Sequence, residues 1–272
     1  MAGATVTKFR AKAQPKAPSK SSARVPRTKM SDAERETRVN LAAAFRVAHH
    51  LGWNDKITNH ITARIPDEPG CFLMNPSGYG WHEITASNLV KAKLDGTVLT
   101  PGANVGPAGL NFHSAILAAK PGIASVIHTH TQPGVVVSAM KRGLMIVDQS
   151  GCALHGQVGY HDFEGYASEQ DEAPRILADI GERHTLVMRN HGLLSIGRTI
   201  GEAFAYMHRL IDACALQVEL MSTGAEINPI PDGVLAHTRA QIDRRYGNKP
   251  YGGAEWKMCV RLATDLDPKF AR

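Results

Sequence analysis

Long apolar runs are missing from this chain of 272 residues, and no stretch approaches the roughly 20 residues a membrane helix needs. Cysteine is sparse. Cys71, Cys152, Cys214 and Cys259 are the whole set, scattered without close pairing. That argues against a disulfide framework or a cysteine-built zinc site, and it fits a reducing compartment such as the cytoplasm. Acidic residues are missing from the first thirty positions, which carry Lys8, Arg10, Lys12, Lys16, Lys20, Arg24, Arg27 and Lys29. The whole chain has a net charge of +6, so removing those eight cations leaves −2 for residues 31–272. The basic character belongs to the tail, and the body loses the main support for nucleic-acid binding.

Residues 1–30 are rich in Lys, Ala, Ser and Pro and poor in large apolar side chains, and they are expected to form a disordered, solvated extension. They lack the apolar centre of a secretory signal. More Lys than Arg, with Pro15, Pro18 and Pro26, is not the composition of an amphipathic transit peptide. Residues 31–272 are expected to form one folded domain.

The body opens with "SDAERETRVNLAAAFRVAHHLGW", an N-cap serine and acidic first turn followed by Leu41, Ala44, Phe45, Ala48 and Leu51 at helical spacing. "NHITARI" and "CFLMN" read as strands. "NPSGYGWHEITASNLV" reads as a loop and then a helix start capped by Thr85 or Ser87. "GPAGLNFHSAILAAKPG" is a helix, "ASVIHTH" a strand, "GLMIVDQ" a further short strand, and "EQDEAPRILADIGERH" an amphipathic helix. "TLVMRNHGLLSIG" is a buried strand, a turn at His191–Gly192 and a return strand. A long helix follows the capping box Thr199-x-x-Glu202. From Asn228 the pattern is less regular. Strands and helices alternate, so the expected class is α/β, a layered sheet flanked by helices.

The chemistry starts at "VIHTHT". Alternate strand residues share a face, so His128 and His130 project together at the C-terminal end of their strand. Alone, such a pair is as compatible with two polar residues on a wet face as with a metal. A third histidine, His191, follows another apolar strand run, and Gly192 permits a tight turn and close backbone approach. Three neutral imidazoles with an open position describe a catalytic metal site. All-nitrogen ligation suits several divalent ions, Zn, Mn and Fe among them.

With these residues on the page, the body resembles the class II aldolase/adducin family. "NHITARIP", "FLMNPSGYGWHEITASNLVKAKLDG", "GPAGLNFHSAI", "VIHTHT", "GYHDFEG" and "RNHGLLSIG…EAF" stand in that family's order, and "EWKMCVRLATDLDPKF" is similar to its bacterial adducin-like members. The resemblance implies a three-layer α/β/α sandwich around one central, mostly antiparallel or mixed sheet. It also implies a homotetramer and a divalent cation on His128, His130 and His191. The family's sugar-phosphate aldolases carry a Ser-Ser-Glu run where this chain has Pro107-Ala108-Gly109, so two phosphate-binding hydroxyls and an acid/base carboxylate are gone. The usual Gly-Asn of a first phosphate loop falls at Asn59-His60, while Ser77-Gly78 keep the character of a second.

The expected function is therefore a metal-dependent lyase, cleaving by aldol chemistry or decarboxylation, on a small oxygenated and non-phosphorylated substrate. Asn59, Ser77, Gly78 and Gly109 are candidate substrate-binding positions. His161 is the candidate acid/base, since imidazole titrates near neutrality. Its alternative is a loop cap or subunit contact. His113 is expected at a helix–sheet contact, and at most one of His49 and His50 can face the core. Tyr79, Trp81 and His82 either line a pocket or belong to a solvated loop. Two other functions remain open: a non-haem iron oxygenase acting on an aromatic or hydroxy acid, and a non-catalytic adducin-like assembly protein.

Overall fold

The structure, a computed structural model, describes residues 30–166 and 171–272. The expected disordered tail therefore lies outside the described residues, apart from Met30.

The first helix, α1 (Asp32–His50), begins as its sequence requires: the Ser31 hydroxyl accepts from Glu34 N at 3.0 Å, capping an otherwise orphaned donor. Its apolar stripe is fully buried through Leu41, Ala44, Phe45 and Ala48, while Leu51, beyond the last turn, is exposed. Strands β1 (His60–Ile65), β2 (Glu68–Met74) and β3 (Val90–Lys93) form an antiparallel meander. The helix expected after Thr85 or Ser87 does not form. Thr85 N donates to Asn88 Oδ1, a local side-chain turn that competes with helix, and the chain enters β3 instead. Trp81 leaves the loop for the core, whereas Tyr79 and His82 stay exposed.

Helix α2 (Pro107–Ala119) starts with proline at its first position, where the missing N–H costs nothing. Strand β4 (Ser125–Thr129) follows, and then a short helix α3 (Gln132–Ser138), which has no counterpart in the expected elements. Residues 143–149 are irregular, so the strand expected at "GLMIVDQ" is absent. Met145 N instead donates to the buried Gln217 side chain, so the backbone is satisfied without a sheet partner.

Strands β5 (Val158–His161) and β6 (Thr185–Met188) are parallel and joined through helix α4 (Ala173–Ile180). Strand β7 (Gly192–Gly197) returns antiparallel to β6. Helix α5 (Ile200–Ser222) has half of its expected capping box. Thr199 Oγ1 accepts from Glu202 N at 3.0 Å, but the Glu202 carboxylate takes the Arg198 and Tyr251 backbone N–H groups and the Arg198 guanidinium instead. The C-terminal part is regular after all, with α6 (Asp232–Tyr246) and α7 (Gly253–Leu266). Among the described residues, no helix is long and apolar enough to cross a membrane.

The sheet order is β3-β2-β1-β4-β7-β6-β5, mixed, with all pairs antiparallel except β5–β6. Two cores make it the middle of three layers. One core joins the sheet to α1, α3, α5 and α7 and contains Ile127. The other joins it to α2 and α4 and contains Val126, Phe112, Ile116 and Ile176. The alternation of β4 thus sends Val126 and His128 toward α2, while Ile127 and Thr129 face α5, where Thr129 Oγ1 donates to Met207 Sδ at 3.4 Å.

Candidate metal centre

Strand register brings the three histidines of the motif together. In β4, His128 lies opposite Leu194 of β7 on one side and His60 of β1 on the other. His130 follows one residue past the strand end. His191 sits between a turn and the start of β7, where Asn190 takes a left-handed conformation at φ 54° that asparagine tolerates. The turn is therefore centred one residue earlier than the sequence suggested. A Cβ on Gly192 would stand 2.5 Å from the Thr129 carbonyl oxygen and 2.9 Å from His130 Cδ2. Only glycine lets β7 pass this close to the end of β4, and that approach sets His191 beside the other two rings. Ring centroids are 4.6 Å apart for His128–His130, 4.8 Å for His128–His191 and 4.9 Å for His130–His191. One nitrogen from each falls within 4.8 Å of the others.

Hydrogen bonding fixes which nitrogens are free. His128 Nδ1 donates to the Leu193 carbonyl at 3.0 Å, because a carbonyl only accepts. The Asp55 carboxylate stands 3.5 Å from His130 Nδ1, again favouring a proton there. Both Nε2 atoms then carry lone pairs, yet they face one another at 2.8 Å. Two lone pairs at that separation repel unless a proton or a cation lies against both. This arrangement fits a divalent ion: each ring presents Nε2 while a second partner holds the opposite nitrogen.

Burial keeps the rings neutral. It pushes His128 well below its ordinary value, and the neighbouring histidines add to the effect. Burial and the nearby His130 bring His191 down to about 4. His130 is lowered by burial, with Asp55 opposing. Neutral imidazoles are the form that ligates a metal, so the donor set is ready at neutral pH.

The other sequence-derived positions fall in different places. Asn59 is buried. Its Oδ1 accepts from Asp55 N at 2.7 Å and its Nδ2 has no partner. Gly109 is buried in the first turn of α2, against the ring of His60. Ser77 and Gly78 are exposed on the loop after β2, and Ser77 N donates to the Asn104 carbonyl on the approach to α2. His161, at the end of β5, has both ring nitrogens opposite carboxylates: Nδ1 at 2.8 Å from Asp179 and Nε2 at 3.2 Å from Glu172. One of its ring nitrogens also lies within 4.8 Å of a Glu164 carboxylate oxygen, but Glu164 is held by Arg175 in a bidentate pair. His113 is fully buried between α2 and β1, bonded to Thr62 Oγ1 at 2.9 Å. Neither His49 nor His50 is buried.

Two neighbours of the triad were not among the candidate site residues, although His60 falls on the altered first phosphate loop. Asp55 lies in a loop with nothing local to mark it. His60 is the register partner of His128, and its signal was the parity of "NHIT" in β1, readable only once β1 is known to pair with β4. Burial, reinforced by His130 and His191, brings His60 down to about 4, and its Nδ1 is buried without a partner.

Residues 39–218 match the family described as class II aldolase and adducin N-terminal domain. A Caulobacter vibrioides protein provisionally named an aldolase class 2 protein is 42% identical over 246 residues, covering 89% of this chain and 95% of that one. Rat alpha-adducin is 41% identical over 194 residues, covering 70% of this chain but 26% of the adducin. Among solved structures, an aldolase II superfamily protein from Pseudomonas syringae superposes with a TM-score of 0.84 at 38% identity, over 90% of this chain and 98% of its own. The chain belongs to the class II aldolase and adducin family.

Proposed function

We propose that the chain is a metal-dependent lyase that breaks a carbon–carbon bond, by aldol cleavage or decarboxylation, in a small oxygenated substrate without a phosphate group. The supporting observation is the pair of Nε2 lone pairs at 2.8 Å, each on a ring whose Nδ1 faces an acceptor. His128, His130 and His191 are the ligands in this reading, and zinc, manganese or iron is the ion. When bound, the ion supplies a Lewis acid for the negative oxygen that develops as the bond breaks. The chain's own residues hold the donor set: Leu193 O and Asp55 orient two of the rings, and His128 is buried against Phe112 of α2. The absence of a phosphate follows from Pro107-Ala108-Gly109, which offer no hydroxyl in the first turn of α2.

His161 was the expected proton carrier. With both nitrogens opposite carboxylates, it is better suited to anchoring the β5–α4 corner than to exchanging a proton with substrate. A homotetramer and a cytoplasmic setting are part of the proposal, the latter supported by four free thiols. The adducin match favours a second reading, a binding or assembly protein. Elemental analysis of protein purified with zinc, manganese and iron present separates the two. About one ion per chain is expected in the wild type and none in His128→Ala. A metal-free wild type would sink the lyase reading. Metal-loaded protein is then incubated with hydroxy- and keto-acids, and aldehyde or carbon dioxide release is followed. Oxygen uptake with bound iron would point to an oxygenase instead.

A further inference from the structure

Helices α1, α5 and α7, in the layer that faces away from α2, pack around a cleft of about 250 Å³. Two aromatic side chains form its floor. Trp256 of α7 is held by its indole N–H, which donates to Asn40 Oδ1 at 3.0 Å, and its ring is seated on Gly201, where a Cβ would lie 2.5 Å from Trp256 Cγ. That ring meets Phe204 of α5 with centroids 5.6 Å apart, and Trp53 stacks on Phe204 at 4.6 Å. Pinned by Asn40 and backed by Trp53, the two rings are not free to close the space. Val47, Cys259 and Leu262 complete an apolar wall.

The polar groups of the cleft narrow the occupant. His208 is taken by Asp212 at 2.8 Å. Arg209 is half-buried, and its Nε donates to Tyr251 Oη at 3.3 Å. A guanidinium has five donors, and among the described residues no carboxylate pairs with this one. Glu255 is exposed at the cleft and acts on Arg209 through space without an ion pair. An unpaired guanidinium beside an apolar wall favours a ligand with an apolar body and an anionic end. Size sets the rest. An apolar cavity of about 150 Å³ holds one benzene, so a cleft of about 250 Å³ takes one ring with a short chain. It is too small for a helix of a partner protein.

We propose that this cleft is a second binding site, separate from the histidine triad, for a small aromatic carboxylate whose ring lies against Phe204 and Trp256 and whose carboxylate meets the Arg209 guanidinium. A ring is favoured over an alkyl chain because both floor residues offer aromatic contacts. The triad takes no part, so the site stands whether or not the triad holds a metal.

Calorimetric titration of the full chain with 3-phenylpropionate, and with 3-phenylpropan-1-ol as the same body without the charge, tests the proposal. Wild type is expected to bind the acid with a Kd below about 1 mM. Arg209→Met, which keeps an apolar stem and loses the charge, is expected to bind the acid at least about 10-fold more weakly and the alcohol within about twofold of wild type. Cys259→Phe, which puts a ring into the cleft, is expected to bind neither. His128→Ala is expected to bind the acid as wild type does, which separates this site from a carboxylate captured by a metal on the triad. A wild-type Kd weaker than about 1 mM overturns the proposal. So does an Arg209→Met protein that keeps its affinity for the acid or loses acid and alcohol alike, and so does wild-type affinity in Cys259→Phe. A loss of acid binding in His128→Ala moves the ligand to the triad and overturns it too. Arg209 is only half-buried, so Arg209→Met reports even where Cys259→Phe fails to fold.

Discussion

Lowering the pH on metal-free protein measures how firmly the site is buried. An unfolded His60 is an ordinary imidazole with a pKa of 6.5, whereas burial in the folded chain, with help from His130 and His191, brings it down to about 4. Above about pH 6.5 both states keep the ring neutral and stability is unaffected. Below that, the unfolded chain takes up a proton that the folded chain refuses. Stability therefore falls as the pH drops, until about pH 4, where the folded ring protonates too. Between about pH 7.5 and about pH 4.5 this removes about 2.5 kcal/mol on account of His60 alone, at about 1.36 kcal/mol per pK unit. Set against a typical total of about 5–15 kcal/mol, the change is easily measured. Burial also depresses His113 and His128, so the wild type loses more than this one share. Urea unfolding across that range, followed by circular dichroism, compares wild type with His60→Gln, which has nothing to titrate. The variant is expected to lose about 2.5 kcal/mol less than wild type, whatever its stability at neutral pH. Parallel pH curves for the two proteins would refute the reasoning.

Three other expectations concern the supports of the site and the fold. Asp55→Asn should weaken metal binding about 10-fold, the low end for an orienting carboxylate because this one is half exposed; competition with a chromophoric chelator checks it, and unchanged affinity counts against an orienting role. Gly192→Ala puts a methyl against the Thr129 carbonyl and should cost about 1–3 kcal/mol, read as a lower melting temperature, with weaker metal binding because His130 and His191 are driven apart. Glu202→Ala should cost about 2–3 kcal/mol by leaving the Arg198 and Tyr251 backbone donors without their acceptor, measured by denaturant unfolding; the partial exposure of the Arg198 side chain keeps the figure below that of a fully buried pair.

The parts of the fold that were legible in the sequence are those with local causes. Ser31 and Thr199 accept from N–H groups three residues on, and the apolar stripe of α1 repeats at its helical period. The histidine triad was legible because two of its members share a strand face, and glycine follows the third. What stayed hidden depends on distant partners. Thr85–Val90 carries helix-start signals, but Asn88 closes a turn and β2 recruits the next residues as β3. "GLMIVDQ" has the composition of a strand, yet its Met145 N–H goes to Gln217, 72 residues away. The regular C-terminal helices hide because their faces are mostly exposed, with Leu235 the one buried residue of α6 and Cys259 and Ala263 those of α7. The link between His60 and Gly109 needed both the β1–β4 register and the seating of α2, neither of which has a local signature.

The alternation of β4 also imposes an arithmetic on the gene. Val126 and His128 face α2 and Ile127 and Thr129 face α5 only while the residue count along the strand keeps its parity. Loss or gain of a single codon within β4 would turn every side chain downstream of it to the opposite layer, setting an imidazole against Met207 and an isoleucine or threonine over the ion's position. Changes in length are tolerable there only in twos, whereas the turns outside the strand carry no such rule. Related sequences should therefore differ in length in the segments between strands and hold a constant odd–even count from Ser125 to His130, a property readable from sequence lengths without any structure.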